Sequence, residues 1–140
     1  MTEHIAFVVN SYPPRLGGLE MHVSHLAEGL VKIGFRVTVF TVGESPGIKI
    51  QNGVEVHTVR GFFNIGFVLS FPALGTTRRI AKHICLNNVS AVSVHTRFFP
   101  MTWLGLRAAK QTGATTILTA HGSNSVTGVS PVIAIASRLV

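Results

Sequence analysis

Apolar positions in this chain alternate between short unbroken runs and stretches with a three-to-four-residue repeat, a pattern that predicts strands and helices in turn. Residues 5–9 (IAFVV) are a continuous apolar run rich in β-branched side chains, as expected of a strand buried on both faces, and the run ends at Asn10. From Leu19, the positions Leu19, Val23, Leu26, Ala27, Leu30 and Val31 recur at helical spacing, and Gly34 supplies a C-terminal stop. A second buried strand, 37–42, follows at once. A strand, a helix and a strand on such short connections call for a right-handed parallel crossover. Further along, 53–60 reads as a strand after a turn-rich connection through Ser45, Pro46 and Gly47. Then come a helix over 72–86, a strand over 91–95, a helix over 100–111 and a strand over 115–120. Internal repeats and low-complexity runs are absent. The predicted class is α/β, a parallel sheet with helices on both faces.

The loop between the first strand and its helix, SYPPRLGGLE, lies where such a sheet places ligands, outside the carboxyl ends of its strands. Gly17 and Gly18 let the backbone approach a phosphate, the helix N-terminus offers unpaired N–H groups and positive potential, and Arg15 adds a cation. The same glycines also suit a plain tight turn, so both readings stand at this level. Neither a G-x-G-x-x-G fingerprint nor a Walker A lysine is present, which removes support for an NAD enzyme and a P-loop ATPase. His95 and His121 each end a predicted parallel strand, which would bring both to the rim that holds the glycine loop. A hydrogen-bonded structural role is the ordinary alternative for a lone histidine. His22 and His25 share a helix face without an evident third ligand and read as solvated, while His4, His57 and His83 suggest nothing specific.

Composition narrows the class without naming a ligand. With 140 residues, 46% hydrophobic and 12% charged, the chain is expected to form one globular domain with a real core. Twelve Lys and Arg against five acids, all glutamates, give a net charge of +7. Such a surface suits nucleic acid, anionic lipid or a phosphorylated substrate, and without a nucleic-acid-binding signature nucleic acid is the weakest partner. The lone Cys85 forms no internal disulfide and is compatible with a reducing compartment. The apolar start, interrupted by Asn10 and Pro13, does not have the form of a signal peptide. Residues 61–71 carry Phe62, Phe63, Phe67 and Phe71, too short and broken for a membrane span. They read either as an aromatic loop tucked onto the core or, with Arg60, Arg78, Arg79 and Lys82 close by, as an anionic membrane-surface patch.

The run YPPRLGGLEMHVSHLAEGLVKIGFRVTVFT, with G-G-x-E at Gly17, Gly18 and Glu20, resembles the opening unit of glycosyltransferase family 4, the retaining enzymes of two-domain GT-B fold. Residues 92–122, ending in T-x-H-G, are similar to that family's later strand, helix and strand. The resemblance implies a Rossmann-like N-terminal half of a GT-B fold that transfers a sugar from a nucleotide-sugar donor to an acceptor hydroxyl, often lipid-linked, at the inner face of a membrane. The expected location is therefore cytoplasmic with peripheral membrane contact. By the same resemblance Gly17, Gly18 and Arg15 face the diphosphate, and His121 faces the donor sugar as the catalytic candidate. Glu20, His95, Arg97 and Gly122 are substrate-side candidates. For Glu20, a simple helix-stabilising role stands beside an acceptor role. The nucleotide sugar is a co-substrate, and no metal is expected, since the sequence offers no convincing carboxylate cluster.

Residues 1–140 correspond to the family's acceptor-side domain, whereas its donor-binding C-terminal domain has no counterpart here. Ser130 and Pro131 read as the cap and first turn of a helix over 131–140 that stops unfinished. The expectation is an N-terminal portion of a longer transferase with little activity alone. Two other readings remain: a non-catalytic acceptor-binding module acting with a separate catalytic chain, and a generic nucleotide-binding α/β domain.

Overall fold

A computed structural model describes residues 3–13, 18–65, 69–95 and 100–119. In chain order these form β1 (His4–Val8), α1 (Gly18–Lys32), β2 (Arg36–Gly43), β3 (Gly47–Gln51), β4 (Val54–Ile65), β5 (Leu69–Pro72), α2 (Thr76–Leu86), β6 (Ala91–His95), α3 (Pro100–Thr112) and β7 (Thr115–Thr119). The sheet order is β3-β4-β2-β1-β6-β7, with β5 paired to β4. All pairings from β4 to β7 across this order are parallel. From the central β1 the chain winds outward in both directions, so the order reverses between β1 and β6, the arrangement that opens a crevice at the strands' carboxyl ends.

Period-two alternation splits the core into two layers. On one face Phe7, Val9, Val37, Val39, Val54 and Val56 meet Val23 and Ala27 of α1. On the other, Ala6, Val8, Phe40, Val92 and Val94 meet Ile80 and Ile84 of α2 and Met101 and Ala108 of α3. Helices therefore cover both faces, as the sequence predicts. The helix stops are also as read: Gly34 has φ +103°, and the Phe35 amide donates to the Leu30 carbonyl at 3.0 Å, which closes the last turn of α1. Among the described residues no helix is long and apolar enough to cross a membrane.

Three local features differ from the sequence reading. The supposed turn region before residue 53 contains β3, an edge strand antiparallel to β4 and joined to it through Asn52 and Gly53, both at positive φ. An Asn-Gly pair between alternating residues is a strong hairpin signal, and here it closes a two-residue turn between Gln51 and Val54. The aromatic stretch is likewise no loop on the core: β4 continues to Ile65 and pairs back with β5, setting Phe62 opposite Phe71. Both rings stand about half exposed, at 50% and 41%. Finally, α2 starts at Thr76 because Pro72 is still paired with Gly61 in β5, and Gly75 turns the chain at φ +88°.

The β3–β4 turn is tied to α1. Asn52 Nδ2 donates to Glu28 Oε1 at 2.9 Å, and a Cβ on Gly53 would lie 2.8 Å from Val31 Cγ1. With φ at +83° as well, Gly53→Ala is expected to cost about 1–3 kcal/mol, read as a lower urea midpoint at unchanged slope.

Polar residues gather at the opposite, amino-terminal edge of the sheet. His4, Thr38, Glu55 and His57 alternate onto the face that α2 covers, and His83 descends from that helix among them. The Thr38 hydroxyl lies 2.7 Å from His4 Nε2 and 3.2 Å from His83 Nε2, while His57 Nε2 lies 2.5 Å from Glu55 Oε1. Burial, followed by the neighbouring His57 and His4, pushes His83 down to about 4, and burial also lowers His4. The hydrogen bond from His57 holds Glu55 below the ordinary carboxylate value. A histidine whose folded value lies below its unfolded value of 6.5 is protonated first in the unfolded chain. Stability is therefore intact above pH 6.5 and falls as pH drops toward 4, and Glu55 adds to the loss below its own unfolded value. A thermal melt at pH ~4.5 should come several degrees below one at pH ~7.5 in a chelating buffer; equal melting temperatures would contradict this.

Candidate functional site

The crevice at the carboxyl ends of β1 and β6 is built from the residues that leave those strands. Past β1, the Val9 amide still donates to the Phe40 carbonyl at 3.0 Å, which fixes where Asn10, Ser11 and Tyr12 emerge. Ser11 Oγ donates a short hydrogen bond to Glu20 Oε1 in the first turn of α1. The Glu20 carboxylate thus joins the outgoing loop to the helix N-terminus, where negative charge also complements the helix dipole. Gly18 stands exposed as the first residue of α1, with open space where a Cβ would be.

His95 ends β6, as the sequence predicts, but its ring is turned inward on the α1 side and is 1% exposed. It stacks on Phe7 at 5.7 Å between ring centroids and meets the edge of His22 at 6.5 Å. Its Nε2 lies 3.1 Å from Ser93 Oγ, and its carbonyl accepts from Thr102 Oγ1 at 2.9 Å. That last bond ties the end of β6 to the first turn of α3. Of the remaining candidates, Arg15, Gly17, Arg97, His121 and Gly122 lie outside the described residues, as does the helix expected over 131–140.

Beside the β1 exit, a cavity of about 490 Å³ opens over the end of β2 and the first half of β4, lined by Ser11, Tyr12, Thr41, Lys49 and Thr58 among others. Tyr12 and Thr41 are each only 5% exposed, and among the described residues neither hydroxyl has a hydrogen-bond partner. Burial pushes the Tyr12 phenol up to about 12, so it stays protonated and able to donate. Two buried hydroxyls without partners are costly unless a polar ligand or water completes them. Lys49 brings a cation and Glu44 a carboxylate to the same space. Sequence reasoning misses Tyr12, Thr41 and Lys49. Tyr12 lies within the loop that the sequence singles out, whereas Thr41 and Lys49 reach the cavity only through strand register.

A second, smaller hollow of about 330 Å³ is lined by Arg60, Leu74 and Arg79 on the α2 side. Phe62, Phe71 and Leu74 are exposed large apolar residues, the last fully so.

The family model described as Glycosyltransferase Family 4 matches residues 16–138. The chain is 29% identical over 133 residues to the phosphatidylinositol N-acetylglucosaminyltransferase GPI3 subunit of Saccharomyces cerevisiae, covering 90% of this chain and 29% of that protein. It is 27% identical over 138 residues to a subunit of the human phosphatidylinositol N-acetylglucosaminyltransferase, covering 94% and 28% respectively. A 58-residue segment is 52% identical to an uncharacterized glycosyltransferase of Methanocaldococcus jannaschii, covering 40% of this chain and 15% of that one. Among solved structures, a glycosyltransferase from Rickettsia africae superposes with a TM-score of 0.58 at 21% identity, covering 91% of this chain and 32% of that one, a likeness of fold. The chain thus spans under a third of the length of the yeast and human relatives it matches.

Proposed function

Because the chain belongs to glycosyltransferase family 4, we propose that it forms the acceptor-side domain of an enzyme that moves a sugar from a nucleotide sugar to an acceptor hydroxyl with retention. The observation that carries this reading is the family match across residues 16–138. In the reaction the bond from the anomeric carbon to the diphosphate oxygen breaks, a bond to the acceptor oxygen forms, and the nucleoside diphosphate leaves with the electron pair and takes up the proton that the acceptor hydroxyl loses. The protein must hold the acceptor hydroxyl at the anomeric carbon and stabilise charge on the diphosphate as it develops. The N-terminus of α1 with Gly17, Gly18 and Arg15 would take the diphosphate, and His121 and Gly122 would lie against the donor sugar. Glu20, His95 and Arg97 serve the substrate side, with His95 acting through the packing of Phe7 and His22. The remaining donor contacts would come from a second α/β domain or a partner chain; the names of the yeast and human relatives, both called subunits, favour assembly with partners.

The cavity of Tyr12, Thr41, Glu44 and Lys49 fits a hydroxyl-rich acceptor head group, for it offers hydroxyl donors and acceptors with one carboxylate and one cation. An acceptor lipid is supported by the phosphatidylinositol in two relatives' names and by the half-exposed Phe62 and Phe71 on the β4–β5 pair that also carries Arg60. Such a patch would dock on an anionic membrane surface from the cytoplasmic side.

The test is the full-length protein with labelled nucleotide sugars and vesicles containing phosphatidylinositol. Label in the lipid fraction and co-sedimentation that depends on anionic lipid are expected. Tight nucleotide binding without transfer to any lipid or soluble acceptor would replace this reading with the generic nucleotide-binding one.

A further inference from the structure

The polar cluster at the amino-terminal edge of the sheet lies at the opposite ends of the strands from the glycosyl-transfer crevice and plays no part in the function proposed above. Its members come from four separate elements. Strand alternation puts His4 of β1, Thr38 of β2 and Glu55 and His57 of β4 on the α2-covered face, and His83 is delivered by α2, itself anchored through Ile80 and Ile84. One ligand-type atom each from Glu55, His57 and His83 lies within 4.8 Å of the other two. Around a tetrahedral ion with bonds of about 2.0–2.1 Å, donor atoms stand roughly 3.4 Å apart, so modest side-chain rotation closes the set.

We propose that Glu55, His57 and His83 bind one divalent transition-metal ion of the zinc class, with His4 as the fourth ligand, stapling β4 and β1 to α2. Imidazole nitrogens with a single carboxylate are a donor set that suits zinc, whereas magnesium and calcium want oxygen. At His4 the hydrogen bond on the far ring nitrogen holds the imidazole as a metal site needs it held. His4 Nδ1 lies 3.4 Å from the Asn87 carbonyl, to which it donates when the proton sits on that nitrogen, leaving Nε2 turned toward the cluster. Asn87 Nδ2 donates to the His83 carbonyl and lies 3.2 Å from His83 Nδ1, a contact that puts the ring proton on Nε2, so ligation through Nε2 requires that proton to move to Nδ1 and the Asn87 amide to turn away. Thr38 Oγ1 lies between the two presented nitrogens and would yield its place or remain a neighbour of the ion. Arg36, 3.7 Å from Glu55 Oε2, competes with the ion for the carboxylate.

The test is titration of the metal-free full chain with zinc, read by calorimetry and thermal melting, together with cobalt as a spectroscopic probe. One ion per chain is expected, with a higher melting temperature and visible cobalt bands of tetrahedral intensity. Glu55→Gln, which keeps an acceptor for His57 and so preserves the local hydrogen bond, should weaken zinc binding at least about tenfold while circular dichroism stays unchanged. His83→Gln should abolish the cobalt bands. Absence of zinc binding, binding undiminished in Glu55→Gln, or binding lost only when the exposed pair His22 and His25 is replaced would each overturn the proposal.

Discussion

Replacing Gly105 by alanine is expected to destabilise the protein, although alanine is the better helix former. Gly105 lies in α3 where the helix backbone rests directly on the sheet. A Cβ there would stand 2.8 Å from Val94 Cγ1 and 2.9 Å from Val8 Cβ. Val8 and Val94 are fully buried on β1 and β6, adjacent strands at the middle of the sheet, so neither can retreat without moving a strand. The helix must lift instead. Alanine adds about 1 kcal/mol of helix propensity, but overpacking a close-packed core costs typically about 1–3 kcal/mol and more where backbone must shift, so the net sign is unfavourable. Gly29→Ala provides the contrast: that site in α1 is exposed with nothing within 4 Å, and the same change should stabilise by roughly 0.4–1 kcal/mol. Urea unfolding of the two variants decides the matter, and a Gly105→Ala protein as stable as its parent would refute the close contact. The displacement should also reach the crevice, because Thr102 on the same helix holds the His95 carbonyl.

Removing the Glu20 carboxylate is expected to have the second large effect, this time on activity. Glu20→Ala breaks the bond from Ser11 and frees the loop after β1 from the helix that begins the proposed diphosphate site. The cost in stability should stay near ~1 kcal/mol, that of one partly exposed hydrogen bond and a favourable helix-end charge. Transfer by the full-length enzyme should fall about 10²-fold, since positioning of the groups around the reacting centre is lost. Glu20→Gln keeps an acceptor for Ser11 and separates the two roles named for this residue. If Gln restores stability but not kcat, the charge acts on the substrate side; if it restores both, Glu20 is a positioning residue. An unimpaired rate in the alanine variant would remove Glu20 from the site altogether.

Much of the crevice is legible in the sequence because each of its signals is local. Strand endings at Val9 and His95, the glycine that begins α1 and the glutamate of its first turn can be found with a window of about a dozen residues. What such a window does not show is orientation. The sequence places His95 correctly at the end of a strand, yet whether its ring faces the rim or the core depends on pairing with β1, which packs it against Phe7. The aromatic stretch misleads for a related reason: an exposed Phe pair on a hairpin and a Phe cluster on a core have the same composition. Only the Gly61–Pro72 register separates them.

By itself the sequence determined the α/β class, the order and type of most elements and the layers of apolar residues, because hydrophobic periodicity and glycine stops act over one or two turns. The tertiary structure alone decided which polar residues became neighbours. His4 meets Asn87 across 83 positions, His83 meets Thr38 across 45, and Thr41 shares a cavity with Tyr12 and Lys49. Those contacts follow from parallel register and from the helix that covers each face, since a shift of one residue in a strand would turn that strand's side chains to the other side of the sheet.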